Sequence, residues 1–159
     1  MNEEIKIEGI MMNEIVNTSR TTVISGSFRR NYSNIIKLLK MITCTKKITV
    51  LSPAESRVIN SNADFVLLES DSKEASIKEI EDKHLDAIKQ ADFLVVSVPD
   101  GKLGYSTLIE MGFAIAFDKP IYCIGEVHDT MISQYVTTLS EGRDLINIIE
   151  NDFSGIREK

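Results

Sequence analysis

Glu110 stands in a run of residues that gives it little polar company, with Leu108 and Ile109 before it and Met111, Phe113, Ala114 and Ile115 after it. Ser106 and Thr107 precede it by four and three residues, and on a helix those spacings place all three side chains on one face. A carboxylate near the positive, N-terminal end of a helix is favoured in its ionised form, which suits a nucleophile or electrostatic stabiliser better than an acid. Asp100, in the turn Pro99-Asp100-Gly101 just before that helix, is the candidate second carboxyl, although Pro-Asp-Gly is also ordinary turn chemistry. A separate constellation lies upstream: Ser25-Gly26-Ser27-Phe28-Arg29-Arg30, a small-residue turn followed by two arginines. Backbone N–H groups left free in such a turn, together with Arg29 or Arg30, can hold an anion. Each feature also has a plain structural reading: a solvent-facing glutamate, a glycine that merely turns the chain, arginines in water.

Residues 93–98 form a short apolar run rich in β-branched side chains, and its closing Pro-Asp-Gly marks it as a buried strand. A helix over 105–117 follows, Asp118-Lys119-Pro120 stops it, and 121–124 supplies the next buried strand, so the stretch is a βαβ unit. Upstream, residues 22–25 make a first strand and 32–41 a helix whose apolar face is Ile35, Ile36, Leu38 and Leu39. Residues 48–51 make a second strand, and 65–68 an extra edge strand or hairpin arm. The segment 73–90, with Ile77, Ile80, Leu85 and Ile88 among charges, is a one-sided amphipathic helix. Towards the end, 128–134 is a helical turn and 135–139 a last strand. A closing helix over 140–151 has Ser140 as N-cap and Leu145, Ile146, Ile148 and Ile149 inward.

Strands alternating with helices imply an α/β three-layer sandwich around a parallel sheet with right-handed crossovers. With 65–68 set aside, five strands remain, and the flavodoxin-like (Rossmann-like) order 2-1-3-4-5 is expected. In that order the first and third strands are neighbours. Their carboxyl ends then bring the 25–30 turn and the 100–110 segment to one crevice, where open parallel sheets bind ligands.

At 159 residues and 43% hydrophobic, the chain has enough apolar material for one domain over 21–159, with 1–20 as an N-terminal extension carrying no chemistry. A net charge of −6 argues against a nucleic-acid polymer or an anionic membrane as partner, while a small phosphorylated ligand remains open. Cys44 and Cys123 are far apart, and with only His84 and His128 available there is no recognisable metal-ligand set. No metal or other cofactor is therefore expected. The acidic start, without an apolar run of signal or membrane length, makes the cytoplasm the expected location. Gly112, Ala114 and Ala116 give the 105–117 helix small residues suited to close helix approach, and a homodimer or larger homo-oligomer is expected.

From residue 22 onward the chain resembles the nucleoside 2-deoxyribosyltransferases and the related 2′-deoxynucleoside 5′-phosphate N-hydrolases. Ser25-Gly-Ser-Phe-Arg29 is similar to the hydrolases' Gly-Ser-Ile-Arg turn. Ala91-Asp92, Glu110-Met-Gly112-Phe-Ala114 and Lys119-Pro120-Ile121 resemble, in order and spacing, the family's AD, E-x-G-x-A and KP signatures. The resemblance implies that Glu110 attacks C1′ of the sugar to give a glycosyl-enzyme, that Ser25, Gly26, Ser27, Phe28 and Arg29 wall the 5′ group, and that a neighbouring subunit completes the pocket. Gly101, Gly104 and Ser106 fall in the loop before the nucleophile and are expected to contact substrate. The family often carries an Asp on the preceding helix to hold the sugar hydroxyl or the base, and that position is His84 here. The Gly104-Tyr105-Ser106-Thr107 stretch also departs from the hydrolases' shorter side chains. Two other classes compete. Ile24 to Ser33 resembles the phosphate turn of NADPH-dependent FMN reductases, but the chain has no Trp and few aromatics placed to stack on a flavin, and Glu110 would have no task there. A non-catalytic nucleotide sensor would keep the pocket without turnover.

Overall fold

The computed structural model describes residues 19–53, 67, 68, 71 and 74–154. Its elements run β1 (Arg20–Gly26), α1 (Phe28–Cys44), β2 (Ile48–Ser52), α2 (Ile77–Gln90), β3 (Phe93–Ser97), α3 (Tyr105–Ala116), β4 (Ile121–Ile124), a 3₁₀ turn (Ile132–Tyr135), β5 (Thr137–Leu139) and α4 (Gly142–Ser154). The five strands are parallel and lie in the order β2-β1-β3-β4-β5, as the alternating pattern implies. Val23 pairs with Leu94 and Gly26 with Ser97, so β1 and β3 are neighbours whose carboxyl ends finish side by side.

Side chains alternate across the sheet and feed two cores. Val23, Leu94 and Val96 point to one face, where Ile88 of α2 and Met111 and Ala114 of α3 cover them. Ile24, Phe93 and Val95 point to the other, beneath Ile35, Leu38 and Ile42 of α1 and Leu145 and Ile149 of α4. β3 is buried along its whole length because helices cover both faces, which is why its sequence is continuously apolar rather than alternating. Asp92 anchors the opposite edge: its carboxylate accepts the Thr21 N–H at 2.6 Å and the Thr21 hydroxyl at 3.0 Å, tying the start of β3 to β1.

Several boundaries differ from the sequence expectation. β1 takes in Arg20, which pairs with Ile48, so the sheet reaches into the expected extension; residues 1–18 lie outside the described set. α1 starts at Phe28 rather than near residue 32, because Ser27 caps it by accepting the Arg30 N–H, and the helix bends at Asn31 (φ −123°, ψ 24°). α2 starts at Ile77, where Ser76 and Glu79 form a capping box, and Ile77 itself is exposed. At α4, Ser140 is not the cap; the Asp144 carboxylate receives the Glu141 N–H at 3.1 Å, and of the four residues expected inward Leu145 and Ile149 are fully buried. Of the expected 65–68 strand only Leu67 and Leu68 are described, and Leu68 is buried. On α3, Ala114 packs into the core, so only Gly112 and Ala116 of the expected small-residue surface face outward.

Candidate active site

At the carboxyl edge of the sheet a cavity of about 340 Å³ opens between the end of β1, the end of β2, and helices α1, α2 and α3. Glu110 lies in it on the second turn of α3 and is only 7% exposed. The Ser25 hydroxyl, at the end of β1, donates a hydrogen bond to Glu110 Oε2. The adjacency of β1 and β3 makes this contact possible across 85 residues of sequence. Gly26 follows Ser25 at φ +148°, and a Cβ there would meet the Ser97 carbonyl oxygen at 2.9 Å, so the turn needs glycine to bring β1 this close to β3.

His84 reaches the same oxygen from α2. Its Nε2 lies 3.6 Å from Glu110 Oε2, and its Nδ1 is 2.7 Å from Ser52 Oγ at the end of β2. Burial works against a charged ring here, but the hydrogen bond and charge of Glu110, joined by Glu81 and Asp71, outweigh it and hold His84 above its usual value. His84 and the Ser25 hydroxyl thus flank one oxygen of Glu110.

Gly26, Ser27, Phe28 and Arg29 line the cavity, as does Ser106 one turn before Glu110. Arg30 turns elsewhere, its guanidinium donating to the Lys102 carbonyl oxygen at 3.3 Å. Asp100, Gly101 and Gly104 are not brought to this cavity. Asp100 is exposed on its turn, and Gly101 shares with it a separate depression beside His128. The Asp100 carboxylate accepts the Lys102 N–H at 3.2 Å, and that bond, with the Arg30 charge, holds it below the usual carboxylate range. Gly104 serves as N-cap of α3. The polar lining residues Ser52, Asp71, Glu81 and Lys83 escaped the sequence reading. For Glu81 a signal existed, since it sits four residues before Leu85 and seven before Ile88, within the stripe of α2 that faces inward. Among the described residues, no group of three or more His, Cys, Asp or Glu is placed to hold a metal ion. Nor is any helix among them long and apolar enough to cross a membrane.

Fold and cavity together define a flavodoxin-like α/β protein with a carboxylate-bearing crevice at the switch point between β1 and β3. The chain belongs to the nucleoside 2-deoxyribosyltransferase family, whose model matches residues 25–156. That membership indicates nucleoside deoxyribosyltransferase activity, and it sets aside the likeness of the first turn to flavin reductases. Similar solved structures include a CMP N-glycosidase from Clostridium botulinum, at 15% identity over 82% of this chain and 98% of that one, with a TM-score of 0.52. A conserved protein from Enterococcus faecalis aligns at 15% identity over 84% and 99% of the two chains, with a TM-score of 0.54. A 2-deoxyribosyltransferase from Bacillus psychrosaccharolyticus aligns at 18% identity over 79% and 89%, with a TM-score of 0.53. At these identities the likeness is one of fold. A search of curated proteins gives no significant match.

Proposed function

We propose that this protein breaks the N-glycosidic bond of a nucleoside or nucleoside 5′-monophosphate, with Glu110 as the nucleophile. The observation that carries the reading is the setting of Glu110: a buried carboxylate in the switch-point cavity, hydrogen-bonded by Ser25 and faced by His84. Positive charge develops at C1′ as the base departs, and a carboxylate held beside it stabilises that charge and then closes on C1′ as a glycosyl ester. Water or an acceptor base opens the ester and returns the carboxylate. The 5′ end lies towards Gly26 to Arg29, at the N-terminus of α1, where a helix dipole and the Arg29 side chain favour an anion. A cavity of about 340 Å³ between a sheet edge and three helices suits a mononucleoside rather than a polymer, in keeping with the net charge of −6.

Screening the four common deoxynucleosides and their 5′-monophosphates for base release, with and without an acceptor base, tests the reading. Release in water identifies a hydrolase, and release that requires acceptor identifies a transferase. Glu110→Gln keeps the side chain's shape but removes the nucleophile, so release is expected to fall by about 10³-fold or more while ligand affinity changes little. A variant that cleaves as fast as wild type would exclude the mechanism. Binding of a nucleotide by wild type without release of base would favour the sensor instead.

A further inference from the structure

We propose that Glu81 is the proton donor to the departing base, a second carboxyl supplied by α2 and facing the same cavity as the nucleophile. The inference rests on the N-glycosidic cleavage set out above. Glu81 and His84 are three residues apart on α2, hence on one face of the helix, and α2 packs against α3, which carries Glu110. His84 has both ring nitrogens engaged, one with Ser52 and one with Glu110, which makes it a positioning residue for the nucleophile. Asp100 lies outside the cavity. Glu81 differs from both: its Oε1 is buried without a hydrogen-bond partner among the described residues. A buried carboxylate oxygen with no partner is costly when ionised, and the cost is relieved by holding a proton. The charges around it act in the same sense on balance. Burial first and then the negative charge of Glu110 raise Glu81 above the usual carboxyl range, Asp82 adds to this, and His84 opposes it. Asp71 and Lys83 also line the cavity, the former adding negative charge and the latter positive.

The two carboxyls then divide the work as in retaining glycosidases. In the first step a Glu110 oxygen bonds to C1′ and the C1′–N bond breaks, its electron pair remaining on the base. The Glu81 proton passes to a ring nitrogen or carbonyl oxygen of that base, leaving Glu81 as carboxylate. In the second step water attacks C1′, the bond to Glu110 breaks, and Glu81 takes the proton that water releases. Both carboxyls finish as they began.

The test compares wild type and Glu81→Gln on two leaving groups: an ordinary purine, and 7-methylguanine, whose nucleoside is already cationic and whose departure needs no proton. With the ordinary base, kcat/KM for Glu81→Gln is expected to fall by about 10²–10⁴-fold. With 7-methylguanine the loss is expected to be within a few fold. Equal losses on both leaving groups would mean a structural role and would overturn the proposal, as would no loss on either. Glu81→Asp, which keeps the carboxyl, supplies the test if Glu81→Gln does not fold: its kcat/KM is expected to fall with the ordinary base and to change within a few fold with 7-methylguanine. Failure of wild type to release any base overturns the glycosidase reading and this proposal together. Base release by wild type that Glu81→Gln matches overturns the proposal alone.

Discussion

Glu110, Ser25 and His84 were each visible in the sequence for a different reason, and the structure brings the three within contact at one carboxylate oxygen. Glu110 was legible because it interrupts an apolar helix. Glu81 was harder to see despite its place in the inward stripe, because it lies in a helix rich in acids, where Glu79 caps the helix and Asp82 pairs with Lys78 at the surface. What separates Glu81 from them is that the inward stripe of α2 lies partly over a cavity rather than over packed side chains. Its setting has a consequence for stability. A carboxyl whose folded value is raised binds more protons folded than unfolded, so the fold loses stability as pH rises from the ordinary value of 4.5 through the raised one. The deficit persists at neutral pH. Glu81→Gln is therefore expected to melt at a higher temperature than wild type at pH 7, with the difference closing below about pH 4.5. His84, also raised, stabilises the fold below its ordinary value of 6.5 and loses that contribution as pH rises through the folded value. Differential scanning fluorimetry of wild type, Glu81→Gln and His84→Ala across pH separates the two contributions.

At the scale of elements, the strand order was legible because each strand is a compact β-branched run and the helices between them are long enough to cross over. Helix starts were less so. Phe28-Arg29-Arg30 carries no apolar period, so nothing but the Ser27 cap announces that α1 has begun. The difference matters, since it places Arg29 on the first turn of a helix rather than in a loop and gives the cavity a rigid rim. The turn before it depends on Gly26. Gly26→Ala would force a side chain into a positive-φ position and against the Ser97 carbonyl oxygen, at a cost of about 1–3 kcal/mol. Ser25 would move with the turn, so chemical denaturation is expected to show the loss of stability and base-release kinetics a lower kcat. Unchanged denaturation midpoints would mean that the turn relaxes without cost.

At the scale of the whole molecule, the outer face of α3 presents exposed apolar side chains among the described residues. Tyr105, Ile109, Gly112 and Ala116 follow one another at spacings of four, three and four, and so form one stripe along the helix. Tyr105 is 90% exposed and Ile109 60%, and a Cβ on Gly112 would meet nothing within 4 Å. The expected stripe of Gly112, Ala114 and Ala116 is thus shifted by half a turn: Ala114 faces the core, and two large apolar residues join Gly112 and Ala116 on the open side. Large apolar side chains flanking a glycine would let a second helix approach closely while burying apolar area. The stripe begins beside Ser106, a cavity residue, so a second copy docked here would sit at the rim of the active-site cavity. We expect wild type to sediment as a dimer or larger at micromolar concentration. Ile109→Glu places a charge at the centre of the stripe without touching the core, and it is expected to yield monomers with unchanged far-ultraviolet circular dichroism. If the rim is completed by the second copy, the monomeric variant will also show a raised KM for base release. A wild type that is monomeric at that concentration would leave the stripe without this role, and Ile109→Glu would then leave both sedimentation and kinetics unaltered.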